Sequence, residues 1–389
     1  MKILIANPGS TSYKCKLIDM ADETILFQAA VERIGDQESI LSWQFEKSKK
    51  LTKTMPVSDY TTAVDQTLKI LQEQILIDEI AAVGFKTVHA KGISGCVELT
   101  DDVLDAMRSY APLVPVHNSV YLTAISAFEK VLPNTIRIGL FETHFHQNIP
   151  MEAAMYGVPY KWFEKYGVRK YGFHGASHHY ISERGKDLFK AEKIISCHLG
   201  GSASVCAIRN GVSIDTSMGM SAQCGLLNAK RVGDLDSFAL LYMMEKENLS
   251  IQAIRDILIS KSGIYGLSEL SGDLRDVEQA MDSDRKAKLA FQTFAYGVKK
   301  YIGEYLAVLN GADLIAFTGG AGQHSPRLRQ EILKNMDNLE IILDMDKNKI
   351  NPEEGLISAK NSKIKVAIIP TNEELIVAHE VAQKLNKSL

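Results

Sequence analysis

The sequence has almost no excess of charge of either sign. Its 389 residues include 44 lysines and arginines against 47 aspartates and glutamates, a formal net charge of −3. A chain this balanced lacks the basic surface that binds nucleic acid or an anionic membrane, so neither is expected as a partner. Hydrophobic residues make up 46% of the chain, which together with the low net charge excludes global disorder.

Cysteine is scarce and long apolar runs are missing. The five cysteines are an odd number, lie far apart and form no C-x-x-C pair, which argues against a disulfide framework and favours a reducing compartment. No stretch approaches the roughly 20 apolar residues that span a bilayer, and the apolar run at residues 2–6 is too short for a signal peptide. These absences predict a cytoplasmic protein, whose length corresponds to roughly two to three domains.

The sequence does contain short apolar segments that alternate with amphipathic ones. Period and composition predict strands at residues 2–6, 13–19, 23–29, 193–199, 205–208, 212–215, 313–317 and 365–369. Apolar residues at helical spacing predict helices at residues 61–74, 237–245, 251–260 and 286–309, one that Pro326 opens, and one from residue 374. This alternation predicts an α/β protein.

Small polar loops follow several of these strands, at residues 7–12, 199–204, 318–325 and 371–373. Two of them share a Gly-Ser-x-Ser motif, at residues 9–12 and 201–204, which suggests a duplicated hairpin. Ligands of α/β sheets bind beyond the carboxyl ends of strands, and small residues let backbone N–H groups approach phosphate. Taken singly, each loop is a plain turn; together they favour a phosphate ligand. P-loop and Rossmann patterns are absent.

Histidine is unevenly placed, with six of the ten between residues 144 and 198. A metal-dependent hydrolase is one hypothesis, although H-E-x-x-H spacing is missing. Phosphoryl binding is favoured for His174, which lies in a Gly-rich segment, whereas a packing or surface role is favoured for His179. Arg231 lies in a turn with charges of both signs, which fits either a surface salt bridge or a guanidinium clamp on a phosphoryl group.

Several motifs carry a family resemblance over essentially the whole chain. They are Asn-Pro-Gly-Ser-Thr-Ser-Tyr-Lys at 7–14, Phe-Glu-Thr-His-Phe-His-Gln at 141–147, Lys-Tyr-Gly-Val-Arg-Lys-Tyr-Gly-Phe-His-Gly at 165–175, Asp-Thr-Ser-Met-Gly at 215–219, Phe-Thr-Gly-Gly at 317–320 and Pro-Thr-Asn-Glu-Glu-Leu at 370–375. With them the chain resembles the acetate kinase family, which includes acetate, propionate and butyrate kinases, within the actin/Hsp70/sugar-kinase superfamily.

The resemblance implies a fold and an assembly. The fold would be two duplicated ribonuclease H-like domains of the actin-like ATPase type, each a mixed five-stranded sheet flanked by helices, with the active site in the cleft. The domains would comprise residues 1–148 with 372–389, and residues 149–371. The resemblance also implies a homodimer.

It further implies a reversible reaction, ATP + short carboxylate ⇌ ADP + acyl phosphate, with Mg²⁺ or Mn²⁺, and a set of site residues. The catalytic residues would be Glu142, Arg231, His174 and Lys86, and the metal ligands Asn7 and Glu373. The carboxylate would be bound by Lys86, Val88, Val116, His117, Phe173 and Ala222. The nucleotide would be bound by Lys14, His198, Gly200, Gly201, Ser202, Asp273, Leu274, Arg275, Gly320, Ala321, Gly322, Gln323 and His324.

The chain departs from the family pattern at several of these positions. Lys86 replaces an arginine, and lysine lacks the bidentate fork of the guanidinium. Glu142 replaces an aspartate and is one methylene longer. Gly-Gly-Ser at 200–202 replaces Gly-Asn-Gly. Ala222 and Val116 replace proline and leucine, and the lost volume hints at a carboxylate larger than acetate. A propionate- or butyrate-preferring kinase and a catalytically weak nucleotide-binding paralog are therefore kept as alternatives.

Overall fold

The computed structural model describes residues 1–9, 11–113 and 115–387, without the side chains of 115–117. The chain forms two compact units. The first unit consists of Met1–His144 and Asn372–Leu389, and the second of Phe145–Thr371.

Strands and helices alternate along the described chain, as the sequence predicts for an α/β protein. The strands are β1 (Lys2–Gly9), β2 (Ser12–Asp19), β3 (Thr24–Glu32), β4 (Ser39–Phe45), β5 (Leu51–Met55), β6 (Ile80–Thr87), β7 (Cys96–Glu98), β8 (Ile136–Phe141), β9 (Lys193–Leu199), β10 (Ala203–Arg209), β11 (Val212–Thr216), β12 (Leu314–Thr318), β13 (Gly355–Leu356) and β14 (Lys365–Ile368). The helices are α1 (Tyr60–Leu71), α2 (Asp101–Ser109), α3 (Pro115–Val131), α4 (Met151–Ala154), α5 (Lys161–Tyr166), α6 (Gly175–Phe189), α7 (Ser237–Lys246), α8 (Ile251–Ser260), α9 (Gly263–Ser268), α10 (Leu274–Ala280), α11 (Arg285–Leu309), α12 (Gly319–His324), α13 (Pro326–Leu333), α14 (Met345–Ile350) and α15 (Glu373–Asn386). Single 3₁₀ turns lie at Ile77–Glu79, His144–His146 and Asp337–Leu339.

Each unit is built on one mixed sheet. In the first unit the strand order is β5-β4-β3-β2-β1-β6-β8-β7, and in the second it is β11-β10-β9-β12-β14-β13. Strands β1, β6 and β8 are parallel, as are β9, β12 and β14, and the other neighbours pair antiparallel. The carboxyl ends of the parallel strands therefore meet at one edge of each sheet.

The expected count of five strands per sheet is wrong, since the described sheets have eight and six. Both nevertheless contain the same five-strand core, with two antiparallel strands followed by parallel crossovers: β3-β2-β1-β6-β8 and β11-β10-β9-β12-β14. The additional strands β4, β5, β7 and β13 pair at the margins of these cores, where unpaired backbone groups would otherwise be exposed.

Several sequence-predicted elements appear with close bounds. Strand β9 and helix α8 match residues 193–199 and 251–260. Helix α11 buries the predicted face, which includes Phe291, Val298 and Leu309. It begins at the Asp284 side chain, which accepts two backbone N–H bonds, and ends at Asn310, whose φ is 53°.

Two predicted loops are regular structure instead. Residues 7–9 continue strand β1, because antiparallel pairing with β2 runs as far as Gly9 and Ser12. Residues 319–324 form helix α12, which begins at Gly319 with φ 75°. A Cβ built on Gly319 would lie 2.7 Å from the Leu199 carbonyl oxygen, so the helix starts against β9 where glycine alone fits.

The helices are shorter or more polar than a bilayer crossing demands. Within the described part of the chain, none combines sufficient length with sufficient apolarity to span a membrane.

Candidate active site

In the first unit, three predicted site residues meet at the carboxyl edge of the sheet. Lys86 lies near the end of β6, Glu142 directly follows β8, and Glu373 begins α15. The Lys86 Nζ lies 3.2 Å from Glu142 Oε1 and donates a hydrogen bond to Glu373. Burial lowers the pKa of Lys86, but the carboxylates of Glu373 and Glu142 raise it by more, and the net pKa is well above the ordinary lysine value.

Strand pairing positions this group. The Glu142 N–H donates to the Thr87 carbonyl at 2.9 Å, which extends the β6–β8 ladder by one residue. Helix α15 packs across β1, β6 and β8, and the missing side chain of Gly84 gives room to Val377 and Val381. Glu373 is thereby brought to Lys86, from which it is separated by 287 positions in the sequence.

The residues at this edge fit a hard divalent cation. Asn7, near the carboxyl end of β1, offers an amide oxygen, and β1 pairs directly with β6. Glu142 and Glu373 offer carboxylate oxygens, and both form an ion pair with the single ammonium of Lys86. Mg²⁺ is commonly bound by one or two carboxylates, with substrate phosphates and water as its other ligands.

In the second unit, Arg231 is a half-buried cation held by neutral partners. Its guanidinium donates to the Ala222 carbonyl at 3.0 Å and to Asn228 Oδ1 at 3.3 Å. No carboxylate in the described part of the chain forms an ion pair with Arg231, and burial lowers the pKa of its guanidinium to about 10. A cation in this state is a candidate to bind an anion, and the surface salt bridge considered from the sequence is not formed.

The turn that carries Arg231 is fastened on two sides. Helix α9 begins against it, because the Ile264 N–H donates to the Asn228 carbonyl at 2.8 Å and Gly263 leaves no room for a Cβ. On the other side, the Ala229 N–H donates to the Gly201 carbonyl at 3.0 Å. The arginine is thus tied to the glycine-rich turn between β9 and β10.

His174 lies beside the same turn, at the N-cap position of α6. Its Nδ1 is hydrogen-bonded to Ser204 Oγ at 2.7 Å, and its Nε2 to Ser202 Oγ at 2.8 Å. Its ring stacks on that of His198 at 4.6 Å between centroids, and His198 Nδ1 is hydrogen-bonded to Ser177 at 2.8 Å. Three predicted residues, His174, His198 and Ser202, are therefore in one cluster.

The other clustered histidines have structural partners. His146 is buried and hydrogen-bonded to Ser213 and to the Phe173 carbonyl, and burial lowers its pKa to about 4. His178 is buried between Ser196 and Ser204. His179 stacks on Phe145 and faces Glu183 on the surface, in accord with its predicted packing role. Among the side chains that the structure describes, which exclude those of residues 115–117, no three from His, Cys, Asp or Glu are grouped to hold a metal.

A cavity of about 870 Å³ in the second unit contains many of the predicted nucleotide residues. Those that line it are Gly200, Gly201, Asp273, Leu274, Arg275, Gly320, Ala321 and His324. Lining residues that sequence reasoning missed are Ala229, Lys230, Ile264, Tyr265, Leu270, Ser271, Gly272, Glu278 and Ser325. The available signal in the sequence was the Ser271-Gly272 pair before Asp273. The structure shows why a glycine is needed there, since a Cβ on Gly272 would lie 2.9 Å from the Ala229 carbonyl oxygen.

The remaining predicted residues lie elsewhere. Lys14 is in the first unit and lines a separate cavity of about 340 Å³. His198, Ser202, Gly322 and Gln323 are in the second unit but not among the residues that line the larger cavity. Val88 is buried in the first unit, and Phe173 and Ala222 in the second. Val116 and His117 lie outside the described side chains.

Comparison with known proteins gives matches over nearly the full length. The model of a family described as the acetokinase family matches residues 2–379. An acetate kinase from Carboxydothermus hydrogenoformans is 43% identical over 394 residues, covering 98% of this chain and 99% of that relative. The crystal structure of Porphyromonas gingivalis acetate kinase superposes with a TM-score of 0.87 at 36% identity and covers 99% of both chains. A propionate kinase structure from Francisella tularensis has a TM-score of 0.89 at 32% identity, covering 97% of this chain and 98% of that one.

Proposed function

Because the chain belongs to the acetokinase family, we propose that it transfers the γ-phosphoryl group of ATP to acetate or a similar short carboxylate, reversibly. The observation that best supports this role is Arg231, a half-buried cation without a carboxylate partner in the described chain, beside a glycine-rich turn and a cavity of about 870 Å³. The two compact units are proposed to be the two actin-like domains, residues 1–148 with 372–389, and residues 149–371.

The chemistry demands positioning more than proton transfer. A carboxylate oxygen is already anionic, so no strong general base is needed for its attack on phosphorus. Arg231 would neutralise charge that spreads over the equatorial phosphoryl oxygens, and the histidine cluster at His174 would orient them. Lys86 would bind the carboxylate substrate, with its ammonium kept fully charged by Glu142 and Glu373.

A divalent metal, Mg²⁺ or Mn²⁺, is proposed at Asn7 and Glu373, with Glu142 beside them. When bound, it would offset the charge of the nucleotide phosphates. The two carboxylates that meet at this edge, with the amide oxygen of Asn7 on the neighbouring strand β1, support the assignment.

A cytoplasmic homodimer is proposed as the working form. Helix α7 supports the dimer, since it has no buried residue and presents large apolar side chains, with Phe238 76% exposed and Leu241 51% exposed. Apolar surface of this kind marks interaction sites more often than it is left bare. Balanced charge and unpaired cysteines support the cytoplasm.

A donor-by-acceptor matrix tests the function. Purified protein would be assayed with ATP, GTP and pyrophosphate against acetate, propionate and butyrate, with hydroxylamine trapping of the acyl phosphate. We expect ATP with at least one of these acids to give the highest rate. Nucleotide binding without acyl phosphate in any combination would instead identify a catalytically weak paralog.

A propionate or butyrate preference is the second candidate. The smaller side chain of Ala222, buried in the second unit, and the likeness to a propionate kinase structure favour it. A kcat/KM for propionate above that for acetate would establish this preference, and an equal or lower value would remove it.

A further inference from the structure

Ser202 stands where the family pattern has a glycine, and its hydroxyl is hydrogen-bonded to His174 Nε2 at 2.8 Å. This contact is the outer end of a longer chain of hydrogen bonds. His174 Nδ1 is bonded to Ser204 at 2.7 Å, Ser204 to His178 Nε2 at 2.9 Å, and His178 Nδ1 to Ser196 at 2.8 Å. The Ser–His chain, defined as Ser196, His178, Ser204, His174 and Ser202, thus alternates hydroxyls with imidazoles.

The inner end of the Ser–His chain is sealed from solvent. Ser196, His178 and Ser204 are all fully buried. Burial lowers the pKa of His178 well below its ordinary value, so its ring is neutral and has a single N–H. A neutral imidazole donates from one nitrogen and accepts at the other, and a hydroxyl donates once.

With both rings neutral and the buried Ser204 hydroxyl donating to one of them, two proton arrangements are possible. In one, Ser202 donates to His174 Nε2, and every later bond points inward to Ser196. In the other, His174 Nε2–H donates to Ser202, and the Ser202 hydroxyl proton is directed away from the ring. Only the second arrangement gives Ser202 a proton to donate to a ligand. An anion at Ser202 selects that arrangement throughout the chain.

The Asn228 side chain links the turn that contains Ser202 to Arg231. The Asn228 Oδ1 accepts from the Ala203 N–H at 2.7 Å and from the Arg231 guanidinium at 3.3 Å. The neighbouring residues Gly200 and Gly201 line the cavity of about 870 Å³. Asn228 therefore joins the residue that follows Ser202 to the cation that the proposed reaction assigns to the phosphoryl group.

We propose, on the premise of the function above, that the Ser202 hydroxyl donates directly to an oxygen of the transferring phosphoryl group. Ser204, His174 and His178 then act behind it as positioning residues, which fix the direction of its proton. No covalent bond forms at the serine. A glycine at this position would leave His174 Nε2 itself to face the anion, so Ser202 moves the contact outward from the ring to the hydroxyl.

Kinetics of Ser202→Gly and Ser202→Ala give the first test. Loss of a hydrogen bond to a charged group lowers kcat at least tenfold in both variants, with the KM for ATP changed less than threefold. Ser213→Ala is the matched control, because it removes a buried serine bonded to a different histidine, His146, and keeps the wild-type kcat. A kcat in Ser202→Gly within tenfold of wild type, or above it, overturns the proposal and leaves His174 as the direct contact.

Ring-¹⁵N spectra of histidine-labelled full-length protein give a test without turnover. On addition of ADP with inorganic phosphate, His174 shifts to the tautomer protonated at Nε2 in the wild type, and Ser202→Ala abolishes that shift. An unprotonated Nε2, or no change at His174, overturns the proposal. A wild-type protein that makes no acyl phosphate but undergoes this shift refutes the proposed function while it supports the Ser202 contact.

Discussion

At the residue scale, Arg231 is the most informative position. Its guanidinium is held by a carbonyl and an amide, so its charge remains uncompensated by any described carboxylate. We expect Arg231→Ala to lower kcat by about 10³-fold or more, with the KM for ATP within a few fold, because an arginine on the transferring group acts mainly in the transition state. Arg231→Lys restores charge without the fork and regains only part of the rate.

Steady-state kinetics at saturating carboxylate measure this effect. Arg327→Ala is the control, since Arg327 forms a surface ion pair with Asp282 in the same unit and its loss leaves kcat unchanged. A kcat for Arg231→Ala within a few fold of wild type would contradict the assignment.

Lys86 and Glu142 make a second residue-scale prediction. Relative to the family pattern one side chain is shorter and the other longer, and their charged atoms meet at 3.2 Å. We expect Lys86→Arg and Glu142→Asp each to lower kcat/KM about tenfold, and the double variant to recover to within a few fold of wild type. Residues in contact commonly couple by about 0.5–3 kcal/mol.

A double-mutant cycle on kcat/KM for the carboxylate measures the coupling. If the two losses simply multiply, the substitutions do not compensate each other, and the distance between these atoms has no bearing on the rate.

Motifs predict single site residues, but they do not predict the partners of those residues. Arg231 and His174 follow from short patterns because their neighbours in sequence are distinctive. Neither Asn228, which accepts a hydrogen bond from Arg231, nor the buried Ser196 belongs to a distinctive motif, and their contacts form only in the folded chain. The one available sign was a serine at position 196 between apolar neighbours in a strand, where a buried hydroxyl needs a partner.

At the element scale, histidines fasten loops and helices to the second sheet. His146 is bonded to Ser213 of β11 and to the Phe173 carbonyl, and burial lowers its pKa from 6.5 to about 4. The unfolded chain therefore binds a proton between about pH 6.5 and 4 that the folded chain does not. We expect the free energy of unfolding to decline as pH falls through this range, with His146 responsible for about 3 kcal/mol.

Urea unfolding at pH 7, 6 and 5 measures this dependence. His146→Gln, which keeps polar atoms for both partners but does not titrate, shows a shallower decline than wild type. Identical pH slopes for the two proteins would show that His146 is not a source of the acid sensitivity.

Several elements with a strong period could be predicted, whereas the central strands β6 and β8 and several elements at the sheet margins were not. The amphipathic face of α11 predicts its burial closely. Helix α12 was hidden because Gly-Gly-Ala-Gly has poor helix propensity, and its start depends on close approach to Leu199 of β9. The strands β4, β5, β7 and β13 pair at sheet margins, where half-exposed residues lack the continuous apolar run of a central strand.

At the scale of the whole molecule, the exposed apolar side chains of helix α7 are the basis of the predicted dimer. Its apolar side chains face solvent in the isolated chain, with Phe238 the most exposed of them at 76%. We expect Phe238→Glu to weaken a dimer by at least about 30-fold in Kd, since a buried charge replaces an aromatic anchor. Sedimentation velocity over a concentration series measures the shift to monomer.

Ile350→Glu is the matched control, because Ile350 is 75% exposed but stands on α14 instead of α7. Its sedimentation should equal that of the wild type. A Phe238→Glu protein with unchanged sedimentation would place the dimer contact elsewhere or show that the protein is a monomer.

The discontinuous first unit has a consequence for biosynthesis. A ribosome delivers the chain from the N-terminus, so residues 145–371 emerge in full before α15 does. The sheet of the first unit therefore lacks its covering helix α15 while all of residues 145–371 are synthesised. Glu373, which pairs with Lys86, is translated only after the whole of the second unit. A translation product that stalls within the second unit therefore lacks one carboxylate of the proposed metal site.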